Sequence, residues 1–316
     1  MKILITGCAG FIGYYLSKSL INNKDKVYGI DNLNNYYDIN LKKKRLVNLN
    51  TQNFYFSKID IKNYKKLRDF FKKNKFDLVY HLAAQAGVRY SILSPETYFD
   101  NNLKGFFNIL ECCREFKIKN LIFASTSSVY GKQNNFPLSE KTSTDQPLSF
   151  YAATKKCNEI MAYSYSEIYK LKCTAIRFFT VYGPMGRPDM ALYKFSDSIN
   201  NNKSLKLYNS GKHTRDFTFI DDVVLYLKKF RSNKQKNYYE IYNICSNNPV
   251  SLMRYLEVIE KNFKKKTKIN KLKLQKGDVI KTHGDNTKIK RLFGNIKFTN
   301  IEKGVSKFVK WFKNYE

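Results

Sequence analysis

The sequence predicts an α/β fold: a doubly wound parallel sheet with a smaller, interleaved C-terminal lobe. Short apolar runs of strand character alternate with longer amphipathic segments through roughly the first 180 residues, the rhythm of βαβ units with helices on both faces of a sheet. Beyond residue 180 the rhythm breaks into mixed loops, short strands and helices. No internal repeat or low-complexity linker separates the two parts, so interleaved lobes fit better than beads on a string.

The elements follow in order. Lys2–Thr6 is a short apolar strand, and Phe11–Ile21 has helical spacing at Phe11, Tyr15, Leu16 and Leu20. Val27–Ile30, Asn53–Ile59 and Leu78–Leu82 are the next strands. Between the last two, Lys62–Lys75 reads as a helix with Leu67, Phe70 and Phe71 facing inward. Pro95–Phe116 is a long helix with apolar residues at Phe99, Leu103, Phe106, Phe107, Leu110 and Cys113. Leu121–Ser125 is a fifth strand, Phe150–Tyr169 another long helix and Cys173–Phe179 a sixth strand. The chain closes on an amphipathic helix at Ile301–Phe312, through Ile301, Val305, Phe308, Val309 and Phe312.

Composition excludes several classes. No apolar run approaches the ~18–20 residues that cross a bilayer, so no membrane association is expected. The N-terminus enters a strand directly, without the parts of a secretory signal. Six cysteines without a Cys-x-x-Cys pair, and only three histidines, suit a reducing cytoplasm and point to neither a metal site nor a disulfide framework. The 57 Lys+Arg against 26 Asp+Glu give a net charge of +31, which raises nucleic acid as a partner. Lys far outnumbers Arg, Asn, Ile and Tyr are abundant, and the basic residues lie in scattered runs such as Lys42-Lys43-Lys44 and Lys264-Lys265-Lys266. These read as a solvated face, so no nucleic-acid partner is expected. The charge still draws anionic ligands.

Gly7-Cys8-Ala9-Gly10-Phe11-Ile12-Gly13 joins the first strand to the first helix. Glycines there let backbone amides approach a dinucleotide pyrophosphate at a helix N-terminus, the Rossmann-type arrangement. The spacing is Gly-x-x-Gly-x-x-Gly. Asp31, ending the second strand eighteen residues after Gly13, accepts hydrogen bonds from ribose hydroxyls and repels a 2′-phosphate. The pattern predicts NAD, not NADP.

Tyr151 and Lys155 lie one helical turn apart on one face. Two other Tyr-x-x-x-Lys matches, Tyr14/Lys18 and Tyr208/Lys212, are incidental. The 151/155 pair differs because it follows the strand and hydroxyl cluster Leu121-Ile122-Phe123-Ala124-Ser125-Thr126-Ser127-Ser128-Val129-Tyr130-Gly131. Together with the glycines, Asp60-Ile61 and His81-Leu82-Ala83-Ala84-Gln85, these motifs make the chain similar, nearly end to end, to the extended short-chain dehydrogenase/reductase family.

The resemblance implies a Rossmann-type domain over residues 1–179, with 213–245 returning to it, and a substrate-binding lobe made mainly from 180–316. It implies NAD contacts at Gly7, Gly10, Phe11, Ile12, Gly13, Asp31, Asn32, Asp60, Ile61, Leu82, Ala83, Ala84, Gln85, Asn101, Tyr151 and Lys155. Tyr151 would be the base for a sugar hydroxyl, with Thr126 bonded to the same oxygen. A phenol titrating near ~10 must be lowered by about 3, roughly 4 kcal/mol, and the Lys155 ammonium and a positive nicotinamide ring can supply that.

Arg177-Phe178-Phe179-Thr180-Val181-Tyr182-Gly183-Pro184-Met185-Gly186-Arg187-Pro188-Asp189-Met190-Ala191 resembles the nucleotide-sugar 4-epimerases, and most of all those acting on UDP-glucuronate. Thr180 stands where UDP-glucose 4-epimerases carry Asn. The hydroxyl cluster lacks the Asp-Glu pair of 4,6-dehydratases, so elimination has no obvious catalyst. Oxidation of glucuronate at C4 makes a β-keto acid prone to lose CO₂. Ser127, Ser128, Thr180 and Arg187 are the expected carboxylate holders. Arg89, Lys206, Tyr208, Arg215, Gln275 and Asp278 match positions along the rest of a UDP-sugar.

The resemblance also implies a homodimer joined through a four-helix bundle of the 95–116 and 150–169 helices. The reading is NAD-dependent 4-epimerisation of UDP-glucuronate. UDP-glucose or UDP-N-acetylglucosamine 4-epimerisation, UDP-glucuronate decarboxylation and a non-catalytic sensor or nucleic-acid binder on the same fold stay open as alternatives.

Overall fold

The computed structural model describes residues 1–23, 25–232 and 237–315. The chain opens with β1 (Lys2–Thr6), α1 (Phe11–Ile21), β2 (Lys26–Asp31), α2 (Ile39–Val47), β3 (Phe54–Lys58), α3 (Tyr64–Asn74) and β4 (Leu78–His81). Next come α4 (Tyr90–Leu93), α5 (Pro95–Tyr98) and α6 (Gly105–Glu115), the last two joined by a π-helical turn at Phe99–Lys104. β5 (Asn120–Thr126), α7 (Phe150–Tyr169), β6 (Lys172–Phe178) and β7 (Thr180–Tyr182) follow. The remainder is α8 (Ala191–Asn200), β8 (Leu205–Tyr208), β9 (Thr214–Phe219), α9 (Ile220–Lys229), β10 (Tyr239–Ile244), β11 (Pro249–Ser251), α10 (Leu252–Phe263), β12 (Ile269–Leu272), α11 (Thr287–Phe293) and α12 (Ile301–Tyr315).

The central sheet has seven strands in the order β10-β6-β5-β4-β1-β2-β3, and every neighbouring pair is parallel. Parallel strands are covered on both faces, so their residues are apolar on both sides. Leu4, Val79, Leu121 and Phe123 pack with α3, α6 and α7 through Leu67, Phe71, Phe106, Leu110 and Ala162. On the opposite face Ile3, Ile5, Leu78 and Ile122 meet Leu16 and Leu20 of α1 and Val223 and Leu227 of α9. Strand order reverses at the β1–β4 junction, where an open α/β sheet leaves a crevice at its carboxyl ends.

A second core gathers α8, β8, β9, α10 and α12 around Phe195, Leu207, Phe217, Tyr255 and Phe308. Phe11, from the first turn of α1, is buried in this core and so joins the two lobes. Within residues 213–245, β9 pairs with β7 and β11, whereas α9 covers the central sheet and β10 forms its outer strand.

Two sequence expectations need correction. The 95–116 helix is interrupted by the π turn, although its apolar positions Phe99 and Phe107 do leave an exposed apolar face. The Lys42-Lys43-Lys44 run is not wholly a solvated face: Lys42 is buried in α2, a helix that the apolar pattern does not announce. Its buried residues are Leu41, Lys42 and Arg45, so polar atoms carry much of its contact. Strand and helix ends elsewhere shift by one to three residues.

α7 is fixed by a buried ion pair. Arg177 of β6 donates from Nε and Nη2 to the two carboxylate oxygens of Glu159 at 2.9 and 2.8 Å, and both side chains are 2% exposed. Ser125 of β5 donates to the same carboxylate at 2.6 Å. Removing one partner strands a buried charge. Glu159→Ala is therefore expected to lower the unfolding free energy by about 3–5 kcal/mol in urea titrations, and a loss below about 1 kcal/mol would contradict this account.

Candidate active site

A cavity of about 390 Å³ opens at the carboxyl ends of β1, β2, β4 and β5, and residues of both lobes line it. Its floor is the Gly7–Gly13 turn. Gly7 has φ +72°, and a Cβ there would lie 2.8 Å from the Ala83 amide nitrogen. A Cβ on Gly13 would lie 2.1 Å from the Gly7 carbonyl oxygen, so the turn tolerates no side chain at either place. Helix α1 starts at Phe11 after Gly10, and no side chain caps it. The amides of its first turn thus face the cavity without intrahelical partners, a ready seat for a phosphate. Asp31 lies at the rim, 9% exposed, accepting from the Leu33 amide at 2.8 Å and the Ala9 amide at 3.2 Å. Burial raises its pKa, while the Leu33 bond and the Lys42 charge pull the other way. A bare turn, free helix amides and a carboxylate at the end of β2 fit the NAD that the glycine pattern calls for.

The other predicted cofactor residues fall around this floor. Phe11, Ile12, Asn32, Ile61, Leu82, Ala83, Ala84, Gln85 and Asn101 line the cavity. Asp60 stands behind, accepting from Asn32 Nδ2 at 3.1 Å. The π turn sets Asn101 in the wall and turns its neighbour Asn102 inward. Asn102 takes the Gln85 amide at 2.8 Å and donates to the Gln85 carbonyl at 3.0 Å and to Thr154 Oγ1 at 3.1 Å. The loop after β4 is thereby pinned to the turn of α7 that carries Tyr151 and Lys155.

Tyr151 and Lys155 both line the cavity. Burial raises the Tyr151 pKa, opposed by a hydrogen bond with Thr126 and by the charge of Arg187. Lys155 is 1% exposed, and burial lowers its pKa to about 8 against the attraction of Glu159 one turn on. Without nucleotide, burial thus favours the neutral form of both groups. His81, fully buried nearby and bonded at 2.8 Å to Thr6 Oγ1, is held neutral by burial and by the Lys155 charge.

Thr126, Ser127, Ser128 and Thr180 form a hydroxyl wall in the same cavity, with Arg187 beside them. The Ser128 amide donates to Thr126 Oγ1 at 3.2 Å, which holds the short turn after β5. Six predicted substrate residues lie outside the cavity. Arg89 pairs with Asp278 at 3.1 Å and its guanidinium lies 4.6 Å from the Tyr208 ring centre, so three of the six come together. Arg215 donates to the carbonyls of Thr214 and Ile280, not to its neighbour Asp216. The side-chain oxygen of Gln275 is buried without a partner, and Lys206 projects outward from β8.

Sequence reasoning missed Asn34, Tyr36, Tyr37 and Lys42, which also line the cavity. Lys42 Nζ donates to the Asn34 carbonyl and side chain at 2.7 and 2.6 Å. The available signal was the Leu41, Lys42, Arg45 spacing, hidden because its inward residues are cations.

Comparison with known proteins agrees with this geometry. The family model described as GDP-mannose 4,6 dehydratase matches residues 4–308. Protein CapI of Staphylococcus aureus is 48% identical, with 100% of this chain and 99% of that protein covered. UDP-glucuronate 4-epimerase 4 of Arabidopsis thaliana is 40% identical over 100% of this chain and 76% of its own length. The crystal structure of UDP-glucuronic acid 4-epimerase from Bacillus cereus, in complex with UDP-glucuronic acid and NAD, superposes with a TM-score of 0.95. Its sequence is 33% identical, with 100% of each chain covered.

The low Lys155 pKa has a consequence for stability. Between about 8 and the ordinary value of 10.5 the unfolded chain holds the proton and the folded chain does not, so stability rises with pH across that window. Below it, burying the ammonium costs the folded state about 1.4 kcal/mol for each pH unit separating the two values. In nucleotide-free protein, Lys155→Met is expected to unfold at higher temperature than the parent at pH 7. The advantage should shrink toward pH 10.5; melts that differ equally at both pH values would contradict it.

Proposed function

The chain belongs to the GDP-mannose 4,6-dehydratase family of extended short-chain dehydrogenases/reductases, and from that premise we propose that it is an NAD-dependent 4-epimerase interconverting UDP-glucuronate and UDP-galacturonate. One observation carries the choice: the four hydroxyls and Arg187 line the same cavity as Tyr151 and Lys155. A dehydratase needs an acid pair before Val129-Tyr130-Gly131, and serines stand there instead.

NAD, held on the glycine turn, would supply reversible hydride exchange at C4 of the sugar. The protein does the rest. Tyr151 takes the proton from the C4 hydroxyl and gives it back, acting as general base and then general acid. Lys155 holds the cofactor ribose and lowers the barrier to ionising the phenol through its charge. Thr126 donates to the same oxygen as it becomes a carbonyl. Ser127, Ser128 and Thr180 bond the carboxylate, and Arg187 closes on it with a charge-assisted contact. Held away from alignment with the C4 carbonyl, the carboxylate is kept from leaving as CO₂. Arg89, Lys206, Tyr208, Arg215, Gln275 and Asp278 serve the uridine diphosphate, outside the cavity and at the mouth of the second lobe.

The assembly belongs to the same reading. Phe99, Phe107, Ile160 and Tyr163 leave apolar surface exposed on the π turn, α6 and α7, which supports a homodimer that buries these helices as a four-helix bundle. Among the described residues no helix is long and apolar enough to cross a membrane. The six cysteines form no disulfide among the described residues, which suits the reducing, cytoplasmic setting read from their spacing.

Proton NMR of UDP-glucuronate with purified protein and no added cofactor is expected to develop UDP-galacturonate signals. A UDP-pentose would make the protein a decarboxylase. Tyr151→Phe should lower the rate about 10²–10⁴-fold with NAD still bound, and full activity in that variant would remove Tyr151 as the base.

A further inference from the structure

Arg187 does not stand alone in the cavity wall. Its Nε and Nη2 donate to Asp189 Oδ1 and Oδ2 at 2.9 and 2.6 Å, and Asp189 Oδ2 also accepts from the Tyr36 hydroxyl at 3.2 Å. The three residues come from two distant parts of the chain. Tyr36 lies in the loop that follows Asp31, and Arg187 and Asp189 lie between β7 and α8.

The contact is built, not incidental. A Cβ on Gly87 would lie 2.6 Å from the Tyr36 hydroxyl, and Gly87 has φ +108°, so the loop after β4 makes room for the phenol by carrying no side chain. The Tyr36 ring packs against Tyr90 with centroids 5.0 Å apart. Arg45 of α2 donates to the Met185 carbonyl at 2.6 Å, holding the same substrate-side segment against the cofactor-side helix.

We propose that Tyr36 and Asp189 are positioning residues that aim the Arg187 guanidinium at the sugar carboxylate, so that uronate recognition depends on the loop that follows the ribose-binding aspartate. The proposal rests on the UDP-hexuronate reading above. A guanidinium has five N–H donors in one plane. Two are taken by Asp189, which fixes that plane and leaves the remaining edge for a second carboxylate. With Asp189 holding that plane, a uronate meets charged donors already in position, whereas a neutral sugar offers no second carboxylate to them. Burial disfavours the Asp189 carboxylate, but the Arg187 charge and the Arg187 and Tyr36 hydrogen bonds outweigh it and keep its pKa low. Burial and the Asp189 charge push the Tyr36 phenol up to about 12, so it remains a donor at neutral pH.

The test compares the parent protein with Tyr36→Phe and Asp189→Asn, each purified with its bound NAD. Three quantities are read: kcat and KM for UDP-glucuronate, the inhibition constant of UDP alone, and NAD content. The expected result is a KM raised about tenfold in Tyr36→Phe and further in Asp189→Asn. UDP inhibition should change less than twofold and NAD content should hold. A KM within twofold of the parent, or UDP inhibition and NAD content falling in step with it, overturns the positioning role. A parent protein that converts no UDP-hexuronate overturns the underlying reading, and the proposal with it. A parent that converts it while both variants keep their KM overturns the positioning role alone.

Discussion

Arg177 and Glu159 face one another at the centre of the fold with almost no access to water, and the geometry of the site follows from that pair. Glu159 lies one turn beyond Lys155 on α7, and Arg177 sits on the strand that pairs with β5. Because Ser125, just before the hydroxyl cluster, donates to the same carboxylate, one buried anion fixes the helix carrying the tyrosine and lysine relative to the strand carrying the hydroxyls. Such a pair is an expensive way to join two elements, since apolar residues of equal volume often pack as well. What it adds here is a negative charge beside a buried ammonium, whose proton would otherwise be lost even more readily.

The second lobe is tied into this frame at many points, not hinged from it. Phe11 belongs to the cofactor turn and to the second core at once. Arg45 reaches from α2 to both the Ala9 carbonyl of the glycine turn and the Met185 carbonyl, and Tyr15 of α1 donates to the Pro184 carbonyl. The segment between β7 and α8 therefore rests on the glycine turn and α1. β7 begins two residues after β6 ends, so the chain passes from one lobe to the other without a linker able to absorb a large relative motion.

Much of this was legible in the sequence, and what was missed has identifiable physical causes. The inner strands of the central sheet are mostly apolar, and the Gly7–Gly13 turn and Tyr151/Lys155 carry residue types that only particular backbone and chemical roles require. Helix α2 was not legible because its buried face is Leu41, Lys42 and Arg45, and hydropathy scores the last two as solvent-facing. The π turn was hidden because one extra residue in a helical turn leaves the apolar spacing on either side nearly intact. Only the inward Asn102, an amide among hydrophobic positions, marks it. The contact of Tyr36 with Asp189 was beyond reach, because the two lie 153 residues apart and nothing local links them.

The hydroxyl wall carries a consequence for the direction of flux. A serine or threonine hydroxyl can turn to donate or to accept, and it bears no charge that favours one arrangement of a ligand over another. Ser127, Ser128 and Thr180, which under the proposed reaction hold the carboxylate common to both sugars, therefore offer no built-in preference for the hand of C4. Under the proposed reaction the protein acts as a two-way valve. As with any catalyst, the balance between the two sugars follows their intrinsic free energies, and net conversion runs toward whichever one is removed.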